Sequence, residues 1–176
     1  SRLRRNPDRI QAQLSRAADV GPPRIRVNKA ITLEAGSSTL EIAYLLEELP
    51  AGEDLHFGFE LNFAGMPAEA EDRFFFAGEQ RLGQLGSQLS LPQLQEFGLT
   101  DQWLGLTLQL TLNQPTDLWT CPVQTVSQSE GGFELVHQSV AVIPPWIVRG
   151  DADGRWAVTL RLGIDTRLAE SRMEAA

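Results

Sequence analysis

Apolar residues at the start of the chain recur at a spacing close to one helical turn. In residues 1–20 these positions are Leu3, Ile10, Leu14 and Ala17 or Ala18. This period predicts one helix. The helix is expected to end at Gly21-Pro22-Pro23, since glycine followed by two prolines breaks a helix. We therefore predict a short N-terminal helix and a linker over residues 1–23.

Beyond residue 23 the period changes to two, because apolar and polar residues alternate. This alternation is typical of half-buried β-strands. It is clearest in three sets: Ile25, Val27, Ile31 and Leu33; Phe57, Phe59, Leu61 and Phe63; Leu106, Leu108, Leu110 and Leu112. Further strands are predicted over residues 40–46, 118–126, 133–142, 146–149 and 156–162, and short strands near residues 74–76 and 84–89. The last two long strands are joined by residues 150–154, which end in the hairpin signal Asp-Gly.

Eight or more strands without alternating helices predict an antiparallel fold. We expect an all-β chain in which residues 24–166 form an antiparallel β-sandwich of two packed sheets. Residues 167–176 are predicted to be a helical or frayed C-terminal tail.

Length and charge exclude several classes of protein. The chain has 176 residues, enough for one folded domain, with 15 basic and 23 acidic residues and a net charge of −8. That balance argues against nucleic-acid binding, which needs a basic face. The apolar runs are too short to span a bilayer, so no membrane partner is expected.

The first and the basic residues indicate a larger parent protein. The chain starts at Ser1 without methionine or an apolar leader, and we expect it to be a piece of a longer protein. The early arginines are Arg2, Arg4, Arg5, Arg9 and Arg16. They are interpreted as a solvated helix face or as a packing surface for an upstream domain. Cys121 is the single cysteine, which indicates a cytoplasmic protein without a disulfide.

Sequence motifs for catalysis and for cofactors are absent. There is no Gly-x-Ser-x-Gly, no glycine-rich phosphate loop and no paired histidine spacing for His56 and His137. No metal or cofactor is therefore expected. Asp151 and Asp153 fit turn chemistry better than a calcium loop. Three carboxylates in or beside predicted strands, Glu60, Glu130 and Glu134, could in principle form a glycosidase pair.

Residues 119–138 thread polar groups that favour turns through a strand pattern. This segment resembles a motif in the C-terminal β-sandwich domain of glycoside hydrolase family 57, which contains α-amylases and 4-α-glucanotransferases. The resemblance rests on Trp119, Pro122, Thr125, Val126, Ser127, Ser129, Glu130, Gly132, Phe133, Glu134 and Gln138. The stretch Phe57-Gly58-Phe59-Glu60-Leu61-Asn62-Phe63 is similar to an earlier strand of that domain.

The resemblance implies a galactose mutarotase-like supersandwich that packs on a catalytic barrel. The family's catalytic glutamate and aspartate belong to that upstream barrel, so no catalytic residue is assigned to this chain. The helix of residues 1–20 would then be the end of the helical region after the barrel, with its arginines facing that partner. Whether the parent is an amylase or a glucanotransferase stays open.

The resemblance also implies a possible contact with an α-glucan or maltooligosaccharide. Sugars stack on aromatic faces and pair with amides and carboxylates. The candidate carbohydrate-binding residues are Trp119, Gln124, Gln128, Glu130, Glu60 and Asn62. Two other interpretations remain: an independent carbohydrate- or protein-binding module, and a hydrolase that uses Glu60 with Glu130 or Glu134.

Overall fold

The computed structural model describes residues 1–18, 24–64, 66–129 and 132–175. Within them the chain forms thirteen strands and one helix. The strands are β1 Arg2–Asn6, β2 Arg9–Ala18, β3 Ile25–Glu34, β4 Thr39–Glu47, β5 Leu55–Gly58, β6 Leu61–Ala64, β7 Arg73–Ala77, β8 Gln80–Gln84, β9 Leu89–Asp101, β10 Leu106–Ser129, β11 Gly132–Ile143, β12 Pro145–Val148 and β13 Trp156–Asp165, and the helix is α1 Arg167–Glu174. The predicted all-β, antiparallel chain is confirmed. The domain boundaries at residues 23 and 166 stay a prediction.

The chain divides into two compact units. Unit 1 contains Ser1–Phe57, Gln109–Pro115 and Trp146–Ile164, and unit 2 contains Gly58–Leu108, Thr116–Pro145 and Asp165–Ala176. The long strand β10 supplies residues to both units.

Unit 1 is built on a sheet with the strand order β1-β2-β3-β4-β13-β10. Alternation along β4 and β13 places one set of apolar side chains on a buried face: Ile42, Tyr44, Leu46, Val158 and Leu160. An aromatic cluster lies in the same unit, where the ring of Phe57 packs within 5.4 Å of Tyr44, 5.6 Å of Trp156 and 6.4 Å of Trp146, measured between ring centroids.

The predicted N-terminal helix is wrong. Residues 2–6 and 9–18 form the β1–β2 hairpin, and β2 pairs with β3 along its full length, from Arg9 opposite Glu34 to Ala18 opposite Ile25. Pro7 would interrupt a helix, whereas Pro7-Asp8 suits a tight turn. Pairing with β3 satisfies the backbone of β2, and Ile10, Ala12 and Leu14 alternate with polar residues as a strand requires.

Unit 2 contains β7, which pairs with both β8 and β9, and β11, which pairs with both β10 and β6. Its fully buried apolar side chains are Phe75, Leu85, Leu99, Leu118, Val140 and Val142. The predicted strand at residues 84–89 is wrong, since this stretch is the turn between β8 and β9. Gly86 N donates to Ala68 O at 2.8 Å there, so the backbone bonds to a loop instead of a ladder.

The C-terminal tail forms α1, an eight-residue helix without buried side chains. Arg172 anchors it, because its Nη1 donates to the backbone oxygens of Gln102 at 3.0 Å and Trp103 at 2.9 Å. In the part of the chain that the structure describes, no helix has the length and apolar character needed to cross a membrane.

Candidate functional site

Trp119 and Asn62 lie on one face of the strands β10, β11 and β6. Cys121 pairs with Ala141, and Ala141 pairs with Asn62, so these three residues share a face. Trp119 lies two residues from Cys121 and therefore faces the same way. Its side chain is 48% exposed. The backbones of Trp119 and Asn62 are two strand spacings apart across the sheet and two residues apart along it, about 12 Å in all.

Glu60 lies next to Asn62 in unit 2. Asn62 Nδ2 donates to Glu60 Oε1 at 2.6 Å, and Ser139 Oγ donates to Asn62 Oδ1 at 3.4 Å. The amide is thus held at both ends. Glu60, Asn62 and Trp119 form what we call the Trp119 surface.

Gln124 and Gln128 are turned away from that surface. They pair with His137 and Phe133, and a bulge on β11 at Gln138 leaves the alternation along β10 intact. Even-numbered positions of β10 therefore face opposite to Trp119. Glu130 lies outside the described residues. The structure does not bring the predicted sugar-binding residues together on one face.

The acids Glu60 and Glu134 are too far apart to act together on a glycosidic bond. Leu61, next to Glu60, pairs with Val142, whereas Glu134 lies eight residues earlier on β11. At about 3.3 Å per residue the strand separates them by about 26 Å. Glycosidase pairs are about 5–10 Å apart.

The remaining polar residues considered as candidates, Asp151 and His137, form no catalytic or metal site among the described residues. Asp151 Oδ1 accepts hydrogen bonds from the backbone nitrogens of Asp153 at 3.0 Å and Arg155 at 2.8 Å, which confirms the predicted turn. Both ring nitrogens of His137 are buried and have no hydrogen-bond partner among the described residues. Within those residues no group of three or more His, Cys, Asp or Glu side chains is placed to hold a metal ion.

Unit 1 contains a groove that the sequence did not reveal. It has a volume of about 700 Å³ and lies across β1, β2, β3, β4 and β13. Two rows of paired residues cross it: Gln13, Ala30, Ala43 and Thr159 in one, and Ser15, Asn28, Leu45 and Ala157 in the next. We call this feature the sheet groove and define it by Gln13, Asn28, Ala30, Ala43, Ala157 and Thr159.

Alternation puts the sheet groove on the face opposite to the buried apolar side chains of unit 1. The signal in the sequence was the polar half of the strand pattern, Gln11, Gln13 and Ser15 in β2 and Asn28, Ala30 and Thr32 in β3. Because residues 1–20 were interpreted as a helix, these positions were not assigned to one face.

Two exposed surfaces carry apolar or basic side chains without a partner among the described residues. On one face of the β10–β11 hairpin, Val126 pairs with Leu135 and Gln128 with Phe133. Val126, Leu135 and Phe133 are exposed, Phe133 to 77%, and we call these three the hairpin tip. In β1 and β2 the five early arginines form no ion pair within the described chain.

Comparison with known proteins identifies the family. The family model described as alpha-amylase/4-alpha-glucanotransferase, C-terminal, matches residues 2–160. Alpha-amylase 1 of Dictyoglomus thermophilum is 26% identical over 144 residues, which is 77% of this chain and 20% of that protein.

Solved structures with the same fold include 4-alpha-glucanotransferase from Thermococcus litoralis, with a TM-score of 0.62 and 18% identity over 92% of this chain and 22% of that one. A putative aldose 1-epimerase from Escherichia coli K12 has a TM-score of 0.61 and 11% identity over 92% of this chain and 67% of that one. Such neighbours have galactose mutarotase-like sandwich folds, which confirms the predicted fold class.

The chain therefore spans about a fifth of the α-amylase and of the glucanotransferase that it matches. The matched region is named as C-terminal and covers most of the chain. This chain belongs to the C-terminal domain family of α-amylases and 4-α-glucanotransferases.

Proposed function

We propose that this chain is the noncatalytic accessory domain of an α-glucan-processing glycoside hydrolase, and that it packs on the catalytic barrel of its parent enzyme. The observation that carries the proposal is the family match over residues 2–160 in a chain that corresponds to 20% of the related α-amylase. The proposal includes membership of glycoside hydrolase family 57, in agreement with the motif around Trp119, and a cytoplasmic location, in agreement with the single cysteine Cys121.

The separation of the acidic side chains supports an accessory role. Glu60 and Glu134 are about 26 Å apart along β11, a distance at which two carboxyls cannot act on the same bond. The reaction of the parent enzyme then needs residues outside this chain.

The hairpin tip supports packing against a partner. Val126, Leu135 and Phe133 present adjacent apolar surface on one face of the hairpin. Burying one such side chain contributes about 1.5–3 kcal/mol. The five early arginines, which form no ion pair among the described residues, lie on both faces of the β1–β2 hairpin: Arg2, Arg4 and Arg9 on the groove face, Arg5 and Arg16 on the other. Each face therefore offers basic groups to a partner.

The Trp119 surface supports contact with a maltooligosaccharide in unit 2. A half-exposed indole can stack on a sugar ring, and the carboxylate of Glu60 can accept hydrogen bonds from hydroxyls. Gln124 and Gln128 belong to the opposite face and do not contribute to this surface.

The docking test uses the full-length parent enzyme. Replacing all of Val126, Phe133 and Leu135 by serine is expected to weaken docking by about 3 kcal/mol or more, because the buried apolar area is lost. The measurements are the inactivation temperature and limited proteolysis between the domains, both of which should show earlier opening.

Met173→Ser is the matched control, since Met173 is an apolar residue, 72% exposed, on a different element, α1. It should leave both measurements unchanged. If the triple variant behaves like this control, the hairpin tip is not a docking surface and this part of the proposed function fails.

A further inference from the structure

The sheet groove has small side chains at its floor and longer polar ones beside them. Ala30 pairs with Ala43 across β3 and β4, and Ala157 follows on β13 in the next row. The groove occupies about 700 Å³, within the range of ligand pockets. Its floor therefore offers methyl groups, while Gln13, Asn28 and Thr159 supply hydrogen-bonding groups.

The two amides are held in fixed orientations. Gln13 Nε2 donates to Gln11 Oε1 at 2.8 Å, and Gln11 Nε2 donates to Thr32 Oγ1 at 3.0 Å. Asn28 Nδ2 donates to Glu47 Oε2 at 2.8 Å. Asn28 Nδ2 also donates to Leu45 O at 3.4 Å, so Asn28 uses both of its N–H groups within the protein and Gln13 uses one of its two.

Both amides keep a free acceptor, and Gln13 also keeps one N–H donor. Gln13 Oε1 and Asn28 Oδ1 have no hydrogen-bond partner among the described residues. The two residues are diagonal neighbours on β2 and β3, because Gln13 pairs with Ala30 and Asn28 with Ser15. Diagonal neighbours lie about 7–8 Å apart. Two preoriented acceptors at that spacing favour a ligand with several hydroxyl donors.

One charged side chain without an ion pair among the described residues lines the groove: Arg2 of β1, which pairs with Gln13 and faces the same way. Glu47 is engaged by Asn28 and by Arg155, whose Nε lies 3.4 Å from Oε1. Lys29 points to the other face, where its ammonium lies 5.2 Å from the ring centre of Tyr44. The other hydrogen-bonding side chains that face the groove are neutral amides and hydroxyls, and the guanidinium of Arg2 donates to hydroxyl oxygens as well, so the lining suits a ligand with many hydroxyls.

We propose that the sheet groove of unit 1 is a binding site for a neutral oligosaccharide. Hydroxyls of the sugar donate to the side-chain oxygens of Gln13 and Asn28, and its ring C–H groups lie on the alanine floor. The identification of this ligand as a segment of linear α-glucan rests on the proposed function. The site is separate from the Trp119 surface, which lies in unit 2.

The test is calorimetric titration of the 176-residue chain with maltoheptaose. Saturable binding is expected, and Ala43→Leu should weaken it at least 10-fold by filling the floor. Gln13→Ala, at a half-buried position that can lose its side chain without a cavity in the core, should also weaken binding. Absence of any binding by the folded wild-type chain would overturn the proposal.

Two matched controls locate the site. Ala17→Leu changes an exposed alanine of β2 outside the groove and should bind like the wild type. Trp119→Ala should retain groove binding. Loss of binding in Trp119→Ala with full binding in the groove variants would overturn the groove assignment, yet it would leave the accessory role intact.

The sugar class is tested with cellopentaose, a β-linked glucan. Much weaker binding than that of maltoheptaose is expected, and equal affinity would overturn the α-glucan assignment. Failure of the accessory role is read separately, from the docking measurements on the parent enzyme.

Discussion

Asp101 is a buried acid with a structural task. Its side chain is 1% exposed, and its Oδ2 accepts a hydrogen bond from Arg73 Nε at 2.7 Å. Its Oδ1 accepts from the backbone nitrogen of Leu104 at 2.9 Å, which fixes the turn after β9. Arg73 is also paired, by Nη1 at 3.0 Å, with the more exposed Asp72. The two acids of this cluster should therefore differ in importance.

Asp101→Ala is expected to lower the free energy of unfolding by about 3–5 kcal/mol, because it leaves the half-buried guanidinium of Arg73 without its main partner. Urea unfolding measures this loss. Asp72→Ala removes the exposed partner of the same arginine and should cost under about 1 kcal/mol. Equal losses for the two variants would show that burial does not set the strength of these pairs.

Asp165 is an acid whose ionisation depends on one neighbour. Hydrogen bonds from Arg167, first from its side chain and then from its backbone, lower the pKa of Asp165 from 3.8 to about 2. Arg167 Nε lies 2.9 Å from Oδ1 and 3.0 Å from Oδ2. Because the pKa is lower in the folded state, this carboxylate favours folding above pH 3.8, and its contribution is lost as the pH falls toward 2.

Arg167→Gln should raise the pKa of Asp165 toward its usual 3.8, as followed by carboxyl chemical shifts in an NMR titration. Arg172→Gln is the control, since Arg172 bonds to the carbonyls of Gln102 and Trp103 instead. A pKa for Asp165 that stays low without Arg167 would contradict the assigned cause.

At the scale of elements, β7 and β9 meet through an aromatic ring lying over a glycine. Phe76 pairs with Gly98, and a Cβ built on Gly98 would lie 2.2 Å from Phe76 Cζ. Since β9 has no side chain at this position, the ring covers its backbone. The pair thus requires glycine for space and not for a special backbone angle.

Gly98→Ala is therefore expected to destabilise the chain by about 1–3 kcal/mol through overpacking, as measured by urea unfolding. Combining it with Phe76→Leu should recover part of the loss. Gly163→Ala in β13 is the control, because the nearest atom to its Cβ would be 3.8 Å away. If Gly98→Ala lowers the free energy of unfolding equally with and without Phe76→Leu, a contact other than the Phe76 ring causes the destabilisation.

The N-terminal hairpin shows how pairing overrides a helical pattern. Leu3, Ile10 and Leu14 fit a helix by spacing, but Leu14 also fits the alternation Ile10, Ala12, Leu14 of a strand. When apolar residues are this sparse, their spacing fits both the helical period of about 3.6 and the strand period of two. Residues 9–18 form a strand because all ten of them pair with β3, which satisfies their backbone hydrogen-bonding groups.

At the scale of the whole molecule, β10 is a component of both units. In unit 1 the amide of Gln114 donates to Ala157 O at 2.7 Å, and Asn113 Oδ1 accepts from Thr159 N at 2.8 Å. In unit 2 the later part of the same strand pairs with β11 from Trp119 to Ser129. Its alternating leucines explain this position, since Leu108, Leu110, Leu112 and Leu118 are all buried.

The chain matches about a fifth of an amylase and of a glucanotransferase, and the whole-molecule interpretation follows from that proportion. The accessory role that we propose rests on that proportion, on the separation of Glu60 from Glu134 and on the exposed apolar side chains of the hairpin tip. The proposed groove would give this chain a contact with the glucan in addition to the Trp119 surface.

The amino-acid sequence alone determined the all-β class, most strand positions, the turn at residues 150–154 and the family. Each of these depends on local information: alternation with a period of two, turn residues at fixed positions, or a motif within residues 119–138. The sequence also excluded phosphate loops and catalytic motifs for the same reason.

Only the tertiary structure decided which polar residues meet. Alternation along β10 by itself sends Gln124 and Trp119 to opposite faces, whatever the strand pairs with. Gln13, Ala30, Ala43 and Thr159, however, lie in one row because hydrogen-bonded pairing sets the register of the consecutive strands β2, β3 and β4 and of β13, which is far from them in sequence. Register depends on backbone bonds between strands, and no local pattern specifies it.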